Sequence, residues 1–156
     1  MSSDQKNLDE MLDLLKSLFE DGIPFNKVLG LKIESIKKDN IRLKFEMRDE
    51  LIGNTLKKIL HGGVISSVLD VTGGIISMAD VIGKMAGRPR DEIAKRLFNV
   101  GTIDLRVDYL RPGKGQYFVA TGSIMRIGMK VAVVRTQLHN DKDVLIAAGT
   151  GTYIIG

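Results

Sequence analysis

The chain contains no cysteine and no tryptophan, three prolines, and two histidines, His61 and His139. Without cysteine there is neither a disulfide framework nor a thiolate metal site. Two histidines are too few for a histidine-rich metal site, so no metal is expected. Aromatic residues make up 5% of the sequence and the net charge is a mild +4. A nucleic-acid binder usually has a denser basic stripe interleaved with stacking platforms, so no nucleic-acid partner is expected. A modest basic excess suits an anionic small ligand equally well. No run of about 18 uninterrupted apolar residues is present to span a membrane. The start, MSSDQKNLDEMLDLLK, has early acids and no apolar signal core, which reads as cytoplasmic. What is present is 156 residues, 44% apolar and 27% charged, the composition of one globular domain.

Residues 4–20 predict an amphipathic helix, because Leu8, Leu12, Leu15 and Phe19 recur on one face, and Gly22 and Pro24 end it. Residues 1–27 thus read as a helix and linker before a main domain over 28–156. A hairpin is predicted over 28–38 and 40–48, where Ile41, Leu43, Phe45 and Met47 alternate with Arg42, Lys44 and Glu46. Asp39-Asn40 supplies its turn. Residues 49–60 read as a loop and 62–82 as a long, mostly apolar helix. The basic stretch 84–99 reads as an insertion, with a short helix from Asp91. Strands follow at 100–110, 116–127, 129–139 and 143–155, with turns at Pro112-Gly113-Lys114-Gly115 and Asn140-Asp141-Lys142-Asp143. This order predicts an α+β domain: an antiparallel sheet with one apolar helix packed on its concave face.

The sharpest signal is HGGVISSVLDVTGGIISM, residues 61–78. On a helical wheel Val64, Ile65, Val68, Leu69, Val71, Ile75, Ile76, Met78 and Ala79 fill one arc. Gly63, Ser66, Ser67, Asp70, Gly73, Gly74 and Ser77 fill the other. That second arc lacks the long polar side chains of a solvated face, so something approaches the backbone closely there, a helix or a ligand. Asp70 is the single ionisable group on it, and a carboxylate in such surroundings is paired, solvated by a cleft, or functional. His61-Gly62-Gly63 opens the helix, where backbone N–H groups lack intrahelical partners and point out of the positive end. That end can polarise a carbonyl or hold an oxyanion.

Leu60-His61-Gly62-Gly63-Val64 followed by Leu69-Asp70 resembles the hot-dog-fold acyl-CoA thioesterases. Within them it is most similar to the phenylacetate-pathway-type family of the 4-hydroxybenzoyl-CoA thioesterase superfamily. Gly53-Asn54, Gly101-Thr102-Ile103-Asp104, Tyr109-Leu110-Arg111-Pro112-Gly113, Arg126-Ile127-Gly128-Met129-Lys130 and Ala147-Ala148-Gly149-Thr150 extend the resemblance over roughly residues 28–155. It implies a sheet wrapped around one long helix, homodimers and often dimers of dimers, and hydrolysis of an acyl-CoA thioester. It implies no cofactor beyond the coenzyme A carried by the substrate. By this resemblance Asp70 matches the catalytic carboxylate and Gly62 the carbonyl-polarising N–H. His61 and Asn54 match polar groups near the carbonyl and attacking water, and Thr102 matches a hydroxyl near the acid. Asn54 stands one residue further from His61 than in several relatives.

Thioester hydrolysis needs a donor to the carbonyl oxygen and an attacking group. There is no Gly-x-Ser-x-Gly, and Ser66 and Ser67 have no histidine partner in view. Gly62 and Asp70 lie about 12 Å apart along one helix, so one thioester carbon cannot reach both. If both act on one bond, they come from two subunits across paired helices. Gly63, Ser66 and Gly74 are candidate substrate contacts on the small-residue face. Arg111, Arg126 and Lys130, with Lys84, Arg88 and Arg90 of the insertion, are candidates for the coenzyme A phosphates. Two other readings keep the expected fold: a hydratase or dehydratase on acyl thioesters, and a non-enzymatic acyl-CoA-binding module.

Overall fold

The computed structural model describes residues 3–37 and 40–156. Helix α1 (Ser3–Ser17) continues through a wider turn at Leu18–Gly22. Its apolar face buries Met11, Leu15 and Phe19 in the same core as the rest of the molecule. The segment ends at Gly22 with Ile23 extended, as expected, but Pro24 does more than stop it. It opens a second, short helix, α2 (Pro24–Leu29), which Gly30 closes at φ 69°. A prolyl nitrogen loses no bond at a helix start, and glycine adopts positive φ freely. The predicted strand over 28–38 is accordingly shorter: β1 spans Lys32–Lys37. The Asp39 half of the expected turn lies outside the described residues.

Strand β2 (Asn40–Glu46) pairs antiparallel with β1 and keeps the predicted alternation, with Ile41, Leu43 and Phe45 buried. The expected loop 49–60 holds a small hairpin, β3 (Ile52–Asn54) and β4 (Ile59–Leu60). Helix α3 (Gly62–Lys84) follows, then α4 (Arg90–Phe98), one residue earlier than read from sequence. Strands β5 (Gly101–Tyr109), β6 (Tyr117–Ile127), β7 (Val131–Asn140) and β8 (Leu145–Ile154) complete a six-stranded antiparallel sheet in the order β1-β2-β6-β7-β8-β5.

Helix α3 crosses one face of this sheet, touching β2, β5, β6, β7 and β8. Val68, Leu69 and Ile75 are wholly buried beneath it, against Leu43, Phe118, Val134 and Leu138 of the sheet. Phe45 and Phe118 face each other across β2 and β6 and stack 5.2 Å apart. By length and hydropathy α3 would suffice to cross a membrane, but more than half of that stretch is buried inside the fold as its core helix. The fold is the expected hot dog: an antiparallel sheet around one central helix. Helix α4 is fixed at the far end of α3. Its Ile93 is buried, Arg90 bonds to Asn7 and pairs with Glu10 of α1, and Arg96 donates to the carbonyls of Met129 and Ile155.

The wheel is corrected in one respect. Gly73 and Ser77 were assigned to the open small-residue arc, yet both are buried inside the chain. A Cβ on Gly73 would lie 2.1 Å from the hydroxyl of Tyr153, so the glycine makes room for that ring. Gly73→Ala is therefore expected to destabilise the fold by about 1–3 kcal/mol through overpacking, despite alanine's better helix propensity. A thermal melt reads this as a fall in Tm. An unchanged or raised Tm means that the helix and sheet separate at this point without cost.

Candidate functional site

What remains open along α3 is a narrower stripe of Gly63, Ser66, Ser67, Asp70 and Gly74. Its two ends carry different chemistry.

At the start of α3, His61 is the N-cap, and its Nδ1 accepts the N–H of Gly63 at 2.8 Å. An accepting Nδ1 puts the proton of the neutral ring on Nε2. The His61 carbonyl accepts from Val64 and Ile65. The Gly62 carbonyl accepts the Tyr109 hydroxyl at 3.1 Å. These bonds fix the first turn and leave the Gly62 N–H without a partner among the described residues, at the positive end of the helix. The approach to this turn is fixed too: Leu60 N–H donates to Gly113 O and His61 N–H to Leu51 O. A Cβ on Gly53 would sit 2.5 Å from the His61 Cα, so the β3–β4 hairpin packs its backbone directly on the capping residue. Beside it, Asn54 is exposed, and its Oδ1 accepts the Lys57 N–H at 3.0 Å in the hairpin turn.

Two turns further along, Asp70 is half-buried. Its Oδ1 accepts the Thr102 hydroxyl at 2.9 Å and the Tyr153 hydroxyl at 3.3 Å. The Tyr153 hydroxyl also lies 3.0 Å from the Asp70 backbone carbonyl. Oδ2 takes no hydrogen bond among the described residues. Thr102 and Tyr153 are cross-strand partners in β5 and β8, and the register slips immediately after Thr102, next to the site. Burial, then the Asp70 charge and hydrogen bond, and finally Asp104, raise the Tyr153 phenol well above its ordinary range, so it stays protonated.

The family resemblance implies Thr102 beside Asp70 and the sequence sets His61 beside Gly62, and the fold brings each pair together. The sequence reading missed both tyrosines. Their strands were legible, but nothing local in the sequence ties Tyr109 to Gly62 or Tyr153 to Asp70. The hydroxyls of Ser66 and Ser67 both donate to the Gly63 carbonyl, at 3.1 and 2.7 Å, so neither is poised as a nucleophile. A Cβ on Gly74 would meet nothing nearer than 4.0 Å, so this residue lies open on the stripe. Arg111 is exposed just beyond β5 and donates to Leu145 O at 2.9 Å, at the Gly62 end of the sheet. Arg126 and Lys130 are exposed at the β6–β7 turn, at the Asp70 end. Lys84 pairs with Asp80 at 2.9 Å, and it and Arg88 line a shallow cleft between the end of α3 and α4. The described residues hold no cluster of His, Cys, Asp or Glu suited to a metal.

A capped helix start with an unpartnered N–H and a half-buried carboxylate thus lie on the same central helix of a hot-dog sheet. Residues 57–147 match the Thioesterase superfamily profile. Over 148 residues the chain is 43% identical to the medium/long-chain acyl-CoA thioesterase YigI of Escherichia coli, covering 95% of this chain and 96% of that one. The YigI protein of Salmonella typhimurium is 44% identical over the same share. A crystal structure from Shewanella oneidensis, described as related to the thioesterase superfamily, superposes with a TM-score of 0.91 at 44% identity, covering 96% of this chain and 98% of that one. The chain belongs to the thioesterase superfamily.

Proposed function

We propose that this chain hydrolyses medium- or long-chain acyl-CoA to the free acid and coenzyme A, with residues 28–156 as the catalytic domain. The acyl class follows the names of the relatives at 43–44% identity. It agrees with the scarcity of aromatic residues that an aryl pocket would use. The observation that carries the chemistry is the Asp70 carboxylate on the stripe of α3, held by one oxygen and without a partner at the other among the described residues.

In this reading the Gly62 N–H donates to the thioester carbonyl as charge develops on it. Asp70 Oδ2 takes a proton from water, whose oxygen attacks the carbonyl carbon. The tetrahedral intermediate then expels the coenzyme A thiolate, which takes up the proton that Asp70 received from water and so restores the carboxylate. Direct attack by Oδ2, giving a mixed anhydride that water opens, uses the same atoms. Single turnover in heavy-oxygen water tests for the second route, since label on Asp70 arises only when water opens an anhydride at the aspartyl carbonyl. His61 holds the helix start and presents its Nε2–H beside the carbonyl, and Asn54 flanks the water. Neither route calls for a metal or redox cofactor.

The active unit in this proposal is a homodimer, able to pair again into a tetramer. Strand β5 is an edge strand with one side of its backbone unpaired among the described residues and Ile103 exposed on it. Such an edge is a template for another strand. Tyr109, which touches Gly62, and Thr102, which touches Asp70, lie at opposite ends of β5. Two-fold antiparallel pairing along β5 therefore sets the Gly62 end of one subunit against the Asp70 end of its partner. The same operation brings Arg111 of one subunit toward Arg126 and Lys130 of the other, around the coenzyme A phosphates. We place this activity in the cytoplasm, on a substrate found there.

A thiol-release assay over short, medium, long and aryl acyl-CoAs tests the proposal. The expected result is the highest kcat/KM on medium or long chains, unchanged by EDTA. Activity abolished by EDTA and restored by zinc overturns the mechanism. Hydration of an enoyl-CoA without thiol release returns the hydratase reading.

A further inference from the structure

Tyr153 is the most buried hydroxyl-bearing aromatic in the molecule, at 1% exposure, and the fold is shaped around it. A Cβ on Gly73 of α3 would lie 2.1 Å from its oxygen, and a Cβ on Gly151 of β8 would lie 2.6 Å from its ring. Two glycines on two different elements thus clear the space in which its hydroxyl reaches Asp70. Burying a phenol demands a partner for its proton, and many backbone carbonyls would serve. Here the partner is the half-buried carboxylate of the open stripe, together with that residue's own carbonyl. The carbonyl is already an acceptor within α3, so the phenol is not needed to satisfy it.

Thr102 and Tyr153 face each other across β5 and β8 and converge on the same atom, Oδ1. Two donors on one oxygen fix the rotation of the carboxylate and leave Oδ2 without a partner among the described residues. We propose that Tyr153 is a positioning residue: with Thr102 it clamps Asp70 Oδ1 so that Oδ2 is the oxygen that meets water or the thioester. This rests on the reading of Asp70 as the reactive carboxylate. Tyr153 touches no substrate and gives up no proton, because its burial beside a negative charge keeps the phenol protonated.

Tyr153→Phe removes the hydroxyl and keeps the ring. The expected result is a fall in kcat of about 10-fold with little change in KM, because geometry at the reacting atom is lost and binding is not. In the Asp70→Asn background the same change should be silent. A wild-type kcat in folded Tyr153→Phe, or an equal fall in the Asp70→Asn background, overturns the clamp. An Asp70→Asn variant with near-wild-type turnover overturns instead the reading on which the clamp rests, so the two failures are distinguishable. Titration of the unmodified chain at 295 nm needs no variant. At least one tyrosine should stay protonated past the range of a free phenol until the chain unfolds. Ionisation of all three tyrosines of the folded chain within the range of a free phenol overturns the buried contact with Asp70.

Discussion

Asp70→Asn should leave a folded protein that has lost about 10²- to 10⁴-fold in turnover, the usual contribution of a positioned acid–base group. The substitution is close to an ideal subtraction at this site. The amide oxygen of asparagine can take the place of Oδ1 and accept from Thr102 and Tyr153 as the carboxylate does. The NH₂ group then replaces Oδ2, the atom without a partner, and it can neither attack a carbonyl nor take a proton. The anchoring is thus kept and the chemistry removed, so a loss of activity cannot be laid on a collapsed helix. Circular dichroism and thermal melts check the fold, and kcat on the best acyl-CoA measures the effect. Turnover above a tenth of wild type, with chemistry confirmed as rate-limiting, moves Asp70 to a structural role.

The residues that the sequence shows and those it hides differ in a physical way. Periodicity comes from one element facing one environment. The alternation of Ile41, Leu43 and Phe45 and the long apolar arc of α3 therefore read correctly along the chain. The Gly-Gly start and the lone carboxylate were also legible, because a helix end and a charge among small residues are local facts. Short elements carry no full period. The six residues of α2 and the β3–β4 hairpin were missed for that reason, since Pro24 starts a helix as well as following the end of one. Gly73 shows a different limit. A helical wheel finds the missing side chain but not what fills the gap, and the gap belongs to Tyr153 from the last strand. Tyr109 and Tyr153 reach α3 from strands 47 and 83 residues away in sequence, so only the folded sheet register puts them on the site.

The sharpest test of a site shared between subunits uses two inactive variants. Asp70→Ala removes the carboxylate. Gly62→Pro removes the N–H that donates to the carbonyl, at a helix position where proline's fixed φ is tolerated. A Cβ at residue 62 meets the Tyr109 ring at 3.4 Å, a tight contact that a small shift of this exposed ring relieves. In either homodimer every site has one lesion, so both are inactive. In a mixed dimer the two-fold axis sorts the lesions unevenly: one site receives both and the other receives neither. Equal amounts re-paired at random give about half mixed dimers, each with one intact site of two, so activity should return to roughly a quarter of wild type. The return should follow the time course of subunit exchange, which fluorescence transfer between labelled subunits measures independently. If exchange is complete and both variants are folded, absence of recovery means that Gly62 and Asp70 do not act on one bond. Two groups about 12 Å apart on one helix would then have to serve different steps, and the edge of β5 would lose its claim as the seam of the active site.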